Sequence, residues 1–225
     1  MTRLSIIVPT LNEARHIGEL LRDLAALRAR GHEVIVVDGG SDDETVASVG
    51  TQADACVRAA AGRASQMNHG ASLASGDVLW FVHADNRVPA DAADAICDAL
   101  RTGARWGRFD VSLSGGHRAL RVVESAMNLR SRITGIATGD QGIFVERALF
   151  EAVGRFASQP LMEDIALSTR LRRHARPACI RQPRLATSSR RWERHGTART
   201  ILLMWGLRLA YALGVPAERL ARLYR

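Results

Sequence analysis

Polar residues able to bind a ligand stand directly after three apolar runs of this chain. Pro9, Thr10, Asn12 and Glu13 follow Leu4 to Val8; Asp38, Gly39 and Gly40 follow Glu33 to Val37; His83, Ala84 and Asp85 follow Val78 to Val82. Beyond the carboxyl ends of parallel strands, side chains of this kind face the crevice where such sheets take their ligands. A carboxylate placed like Asp38 accepts hydrogen bonds from a ribose or base, and Gly39 and Gly40 allow a ligand close to the backbone. A self-capped turn would use the same residues. Further along, Glu163 and Asp164 open a helical stretch, where carboxylates also suit the positive end of the helix dipole. Neither G-x-G-x-x-G after the first run nor G-x-x-x-x-G-K-[ST] occurs anywhere, so the phosphate cradles of nucleotide-dependent dehydrogenases and P-loop enzymes are missing.

The elements that must position these residues follow from periodicity. Between the first two runs, Glu13 to Arg30 carries Ile17, Leu20, Leu21, Leu24 and Leu27 at helical spacing, which makes a β-α-β unit. A second helix is expected to open at Ser41, with Asp42, Asp43 and Glu44 in its first turn. A weak strand from Ala55 to Ala59, a helix from Arg63 to Ser75, the doubly buried strand Val78 to Val82 and a helix from Pro89 to Thr102 continue the alternation. This pattern predicts an α/β fold with a parallel sheet covered on both faces. After about Ala104 the alternation ends. A strand from Arg108 to Leu113, a helix around Leu120 to Arg132, a short strand from Gly142 to Val145 and a helix from Glu163 to Arg173 follow, with no linker rich in Pro, Gly or Ser.

The 225 residues are 47% hydrophobic and 24% charged, the balance of a chain that folds around one substantial core. All 31 basic residues are Arg and the net charge is +8, with ten arginines crowded between Arg170 and Arg199. Such a field suits phosphate-bearing substrates, acidic lipid or nucleic acid. Nucleic acid is disfavoured, because aromatics make up only 5% and no reading motif is present. Cys56, Cys97 and Cys179 are too few and too scattered for a disulfide framework or structural zinc, and no signal-like segment precedes the first strand. A cytoplasmic protein is expected.

In order along the chain, SIIVPTLNE, VVDGGSDDET, GRASQMNHGASLASGD, FVHADN and MEDIAL resemble the family 2 glycosyltransferases of the GT-A fold, from Leu4 to about Trp192. The resemblance implies a Rossmann-like, mostly parallel sheet with helices on both faces. It implies an enzyme that moves a sugar from a nucleotide-diphosphate sugar to an acceptor hydroxyl with inversion. By the same resemblance Pro9, Thr10, Glu13, Asp38 and Arg63 contact the nucleoside and its phosphates, and Asp85 matches the last Asp of the family's Asp-x-Asp metal motif. His83 stands where the first Asp is usual, as in small bacterial members with His-Ala-Asp at this place. A neutral imidazole adds no negative charge, so Mg²⁺ or Mn²⁺ would rest mainly on Asp85 and the donor diphosphate, with His83 as a second candidate ligand. Asp164 matches the base that takes the acceptor proton, beside Glu163.

Other positions are open to two readings. Asp140 and Gln141 in Thr138 to Gly142 line the acceptor side or form a tight turn. Arg190, Arg191 and Trp192 resemble the Gln-x-x-Arg-Trp signature of processive synthases with Ser188 in the Gln place, so Arg191 would meet the diphosphate and Trp192 the acceptor. From Ile201 to Val215 the chain is apolar but shorter than the ~20 residues of a membrane span, and Arg208 interrupts it. This helix is expected to pack on its own domain or a second copy, or to lie on the inner face of an acidic membrane and bring a lipid-linked acceptor within reach. The whole chain is read as one domain, with a nucleotide-binding half over 1–103, an acceptor and catalytic half over 104–192, and a helical tail over 193–225. A nucleotidyltransferase is the alternative enzyme, but PTLNEARH lacks the glycine-rich loop expected there.

Overall fold

The computed structural model describes residues 2–190 and 196–224. Seven strands form one sheet in the order β3-β2-β1-β4-β6-β5-β7. The parallel part comprises β1 (Leu4–Thr10), β2 (Glu33–Asp38), β3 (Ala55–Arg58) and β4 (Val78–Phe81). Both β1 and β4 are buried at every residue, as strands covered on two faces must be. Thr10 pairs with Asp38 and Asp38 with Arg58, which brings the polar ends of three neighbouring strands level.

Beyond β4 the sheet changes character. The short β6 (Phe144–Glu146) runs antiparallel to both β4 and β5 (Trp106–Leu113), and β7 (Ala178–Thr187) closes the edge parallel to β5. The sheet is thus mostly parallel, as the sequence predicts.

Two core layers sandwich it. On one face α1 (Ala14–Ala29) buries Ile17, Leu20, Leu21, Leu24 and Leu27, and α4 (Ala92–Arg101) adds Ile96. On the other, α3 (Arg63–Leu73), α6 (Arg147–Ala152) and α7 (Glu163–Leu171) contribute Met67, Leu149, Phe150, Leu167 and Leu171. The expected helix at Ser41 begins instead at Thr45, where α2 runs Thr45–Val49. Ser41 is occupied elsewhere: its hydroxyl donates to Asp38 and accepts from Asn12 N–H at 2.9 Å.

Helix α5 (Arg118–Thr134) is fixed to β5 by buried polar groups. Asn128 accepts from Val111 N–H and donates to Val111 C=O, both at 2.9 Å, where the β5–β7 register slips. Asp110, with no exposed surface, takes ion pairs from both Arg108 and Arg132. Burial opposes its charge, yet the hydrogen bonds from Arg132 and Arg108 hold its pKa below the ordinary value.

The tail forms α8 (Thr197–Ala212) and α9 (Ala217–Tyr224). Leu207 and Leu220 pack on Leu161 and Met162, just ahead of α7, so one side of the tail docks on its own domain. The other side leaves Leu202, Trp205, Leu209 and Leu213 exposed. Among the described residues no helix is long and apolar enough to cross a membrane.

Candidate active site

At the β1 and β2 ends the two loops are stitched together. Gly39 N–H donates to Thr10 C=O at 2.8 Å, and Gln66 from α3 donates to the carbonyls of Thr10 and Val37 at 2.7 and 2.8 Å. Asn12, at φ 55, accepts from Asp42 N–H, while Asp43 and Thr45 accept from the first amides at the start of α1. The buried Asp38 carboxylate accepts from Gly40 N–H at 2.8 Å and Ser41 N–H at 2.9 Å. Burial works against its charge, but Ser41, Gly40 and Arg58 lower its pKa. Gly40 sits at φ +96 with the Arg58 guanidinium against it, so a side chain there would be strained and would press on Arg58. Pro9 and Thr10 are buried in this arrangement.

A cavity of about 510 Å³ opens beside these loops. Arg63, His83 and Asp85 line it from the parallel half of the sheet, and Thr138, Gly139, Asp140 and Asp164 from the other half. The turn carrying Asp140, a 3-10 helix over Gly139–Gln141, is pinned on two sides. Asn86 donates to Asp140 C=O at 2.9 Å, and Gly139 N–H donates to Asp164 Oδ2 at 2.9 Å. The other Asp164 oxygen accepts from Ile165 N–H at 2.7 Å. Gly139 lies so close to the His83 ring that an added Cβ would stand 2.5 Å from Nε2.

Met162 precedes α7 at φ 64, a left-handed conformation costly for its side chain, and its burial under α8 and α9 compensates. Glu163 turns inward and is 6% exposed. Burial first, and the Asp164 charge second, raise its pKa to about 7. His83 is pushed down to about 3 by burial and by the Arg63 charge, against the pull of Asp85, so the imidazole is neutral. The cleft walls desolvate Arg63, but Glu163, Tyr224, Asp164 and Asp85 more than offset this and raise its pKa. Arg63 therefore stands electrostatically between the two groups of carboxylates.

Among the sequence candidates, Arg63, His83, Asp85, Asp140 and Asp164 share the cavity, and Glu13 reaches its edge through Arg190. Gln141 does not line it: with no exposed surface, its side chain turns back to accept from Thr138 N–H at 3.1 Å, completing a capping box. Glu163 is not among the residues that line the cavity. Asp38 is held in its own turn, away from the cavity. Arg191 and Trp192 lie outside the described residues.

Three arginines were not singled out for these roles by sequence. Arg190 donates to Glu13 at 3.3 Å and to Asp85 at 3.2 Å, joining the β1 loop to the β4 loop. Arg130 from α5 and Arg208 from α8 line the cavity on the far side.

The profile described as glycosyl transferase family 2 matches residues 5–140, more than half of the protein. The chain belongs to that family. An uncharacterized glycosyltransferase of Mycobacterium tuberculosis is 33% identical over 117 residues, 46% of this chain and 43% of the relative. The chain thus spans about two fifths of the length of the curated relatives it matches. Among solved structures, S. aureus TarS 1-349 in complex with UDP-GlcNAc superposes with a TM-score of 0.68 at 21% identity, over 83% of this chain and 58% of that one. The mannosyltransferase PcManGT of Pyrobaculum calidifontis, in complex with GDP-Man and Mn²⁺, gives 0.63 at 23% identity over 83% and 56%. These structural likenesses support the GT-A fold seen here.

Proposed function

We propose that this protein is an inverting glycosyltransferase that moves a sugar from a nucleotide-diphosphate donor to an acceptor hydroxyl. The observation that carries the reading is the meeting of Arg63 and Asp85 with Asp164 in one cavity. The parallel half, over 1–103, is assigned to the donor, the segment over 104–192 to the acceptor and its activation, and the remaining tail to closing the cavity, all within one domain.

In this assignment the donor diphosphate lies near Arg63 and Asp85, with its nucleoside toward Pro9, Thr10, Glu13 and Asp38. Arg63 supplies a fixed positive charge where the leaving diphosphate gathers negative charge. Asp164, held by two backbone N–H groups, keeps lone pairs for an acceptor hydroxyl. The acceptor oxygen bonds to the anomeric carbon, the carbon–phosphate-oxygen bond breaks, and the acceptor proton passes to Asp164. Attack from the face opposite the diphosphate inverts the anomeric centre. With its pKa raised to about 7, Glu163 holds its proton on the acid side of neutrality and there spares Asp164 a second negative neighbour.

Among the described residues no three His, Cys, Asp or Glu side chains converge on a metal position. The residues fit a divalent ion that takes one carboxylate from Asp85 and completes its shell with donor phosphates and water. The buried His83 Nε2, without a hydrogen-bond partner among the described residues, offers a further nitrogen beside it. Such an ion would offset charge on the diphosphate, and the Mn²⁺ of the PcManGT complex supports its inclusion.

Thermal shift with UDP-, GDP- and dTDP-sugars, with and without Mn²⁺, tests the reading. One nucleotide series should raise the melting temperature of the wild type in a Mn²⁺-dependent way, and Asp85→Asn should lose that dependence while still folding. No response to any nucleotide, or the same Mn²⁺ dependence in Asp85→Asn, would overturn it.

A further inference from the structure

On the side of the cavity away from the donor loops, Arg130 and Arg208 approach from α5 and α8. Arg130 Nε and Nη2 and Arg208 Nε are shut off from solvent, and none has a hydrogen-bond partner among the described residues. Burial first, and the Arg208 charge second, lower the Arg130 pKa to about 10, with Asp140 and Asp164 pulling the other way. Two like charges with idle donors are an unfavourable way to fill a cavity unless an anion completes them. The guanidinium fork is shaped for the oxygens of a phosphate or carboxylate.

The neighbouring wall is apolar. Val122 and Met127 of α5 face Ile201, Met204 and Trp205 of α8 around the same cavity. Val122 is 70% and Trp205 67% exposed, so this wall runs out to an apolar lip at the surface. The carboxylates that act most on Arg130 are Asp140 and Asp164, both in the half assigned to the acceptor. The pair therefore belongs on the acceptor side.

The geometry points to Arg130 and Arg208 as an oxyanion subsite for the acceptor: a molecule with a phosphate or carboxylate near the attacking hydroxyl and an apolar portion along Val122, Met127, Ile201, Met204 and Trp205. The acceptor role rests on the glycosyl-transfer reading; the anion site itself does not. It explains why Arg208 interrupts an otherwise apolar helix, since that side chain lines the cavity while its neighbour Leu209 is exposed outside it.

Calorimetric titration of the full chain tests this with three probes: octyl phosphate below its micellar concentration, inorganic phosphate, and UDP with Mn²⁺. Octyl phosphate should bind the wild type at least ~10-fold more tightly than inorganic phosphate, and Arg130→Met and Arg208→Met should each weaken it by ~10-fold or more. UDP affinity should stay within about twofold in both variants. Arg130 Nε and Nη2 and Arg208 Nε have no hydrogen-bond partner to lose among the described residues, so melting temperatures without ligand should change little, and octyl phosphate should raise that of the wild type alone. Undiminished octyl phosphate binding in the folded variants overturns the subsite, and parallel loss of UDP binding moves the arginines to the donor. Equal affinity for inorganic phosphate overturns the apolar half in favour of a small soluble anion. UDP binding without octyl phosphate binding defeats the subsite and spares the transfer reading; octyl phosphate binding without any nucleotide binding does the reverse.

Discussion

Replacing Glu163 by Gln removes an ionisation that the fold opposes. The side chain is 6% exposed and lies beside Asp164, and its pKa rises from the ordinary 4.5 to about 7. Because the folded value exceeds the unfolded one, the native state holds a proton between these pH values that the unfolded chain releases. The favourable contribution is therefore complete below about pH 4.5 and lost as pH rises through about 7. This difference corresponds to at most about 3 kcal/mol. Gln keeps the shape and never ionises. Urea unfolding at pH 4 should find wild type and Glu163→Gln nearly equal, whereas at pH 8 the variant should be more stable by up to ~3 kcal/mol. Two stability curves that run parallel from pH 4 to pH 8 would refute the raised pKa of Glu163.

Other consequences are equally open to measurement. Asp110→Asn leaves the buried Arg108, and the partly exposed Arg132 beside it, without a counter-charge and should cost ~3 kcal/mol in chemical denaturation. Since the Asp110 pKa is lowered in the fold, its contribution is present above the unfolded value near 4 and is lost on acidification through the folded value. Gly139→Ala sets a Cβ 2.5 Å from His83 Nε2, and should slow transfer by ~10-fold or more with a stability loss of only ~1–3 kcal/mol. Truncation after Thr200 removes Leu207 and Leu220 from Leu161 and Met162, and light scattering should show aggregation of the exposed chain.

The parallel half of the fold was legible because its strands are continuous apolar runs and α1 keeps strict helical spacing, so the positions of Asp38 and Asp85 at the strand ends followed directly. β7 escaped notice. Its segment carries Arg181, Gln182, Pro183 and Arg184, and such a strand is tolerated because it sits at the sheet edge, paired with β5 and bridged at Ala186 by Arg87. In the sequence its arginines blend into the basic stretch from Arg170 to Arg199. Ser41 misled through a sound local rule, since capping preference cannot see that Asp38 and Asn12 compete for the same hydroxyl. The sequence leaves Gln141 open to an acceptor-side or a turn reading, and its side chain takes the second, closing the turn that presents Asp140. Arg130 and Arg208 become neighbours only through the docking of α8 near α5, which no local pattern encodes; the one visible signal was a lone Arg within an apolar helix.

The central claim is tested most directly by following nucleoside diphosphate release from the donor sugar that stabilises the protein, with wild type and Asp164→Asn measured side by side in the presence of acceptor. The wild type should release the diphosphate with an inverted glycoside as product, and Asp164→Asn should be slower by ~10²-fold or more while its calorimetric donor affinity stays within about twofold. Equal release by the two proteins, or loss of donor binding in step with rate, would contradict the assignment of Asp164 as the base in a sugar-transfer site.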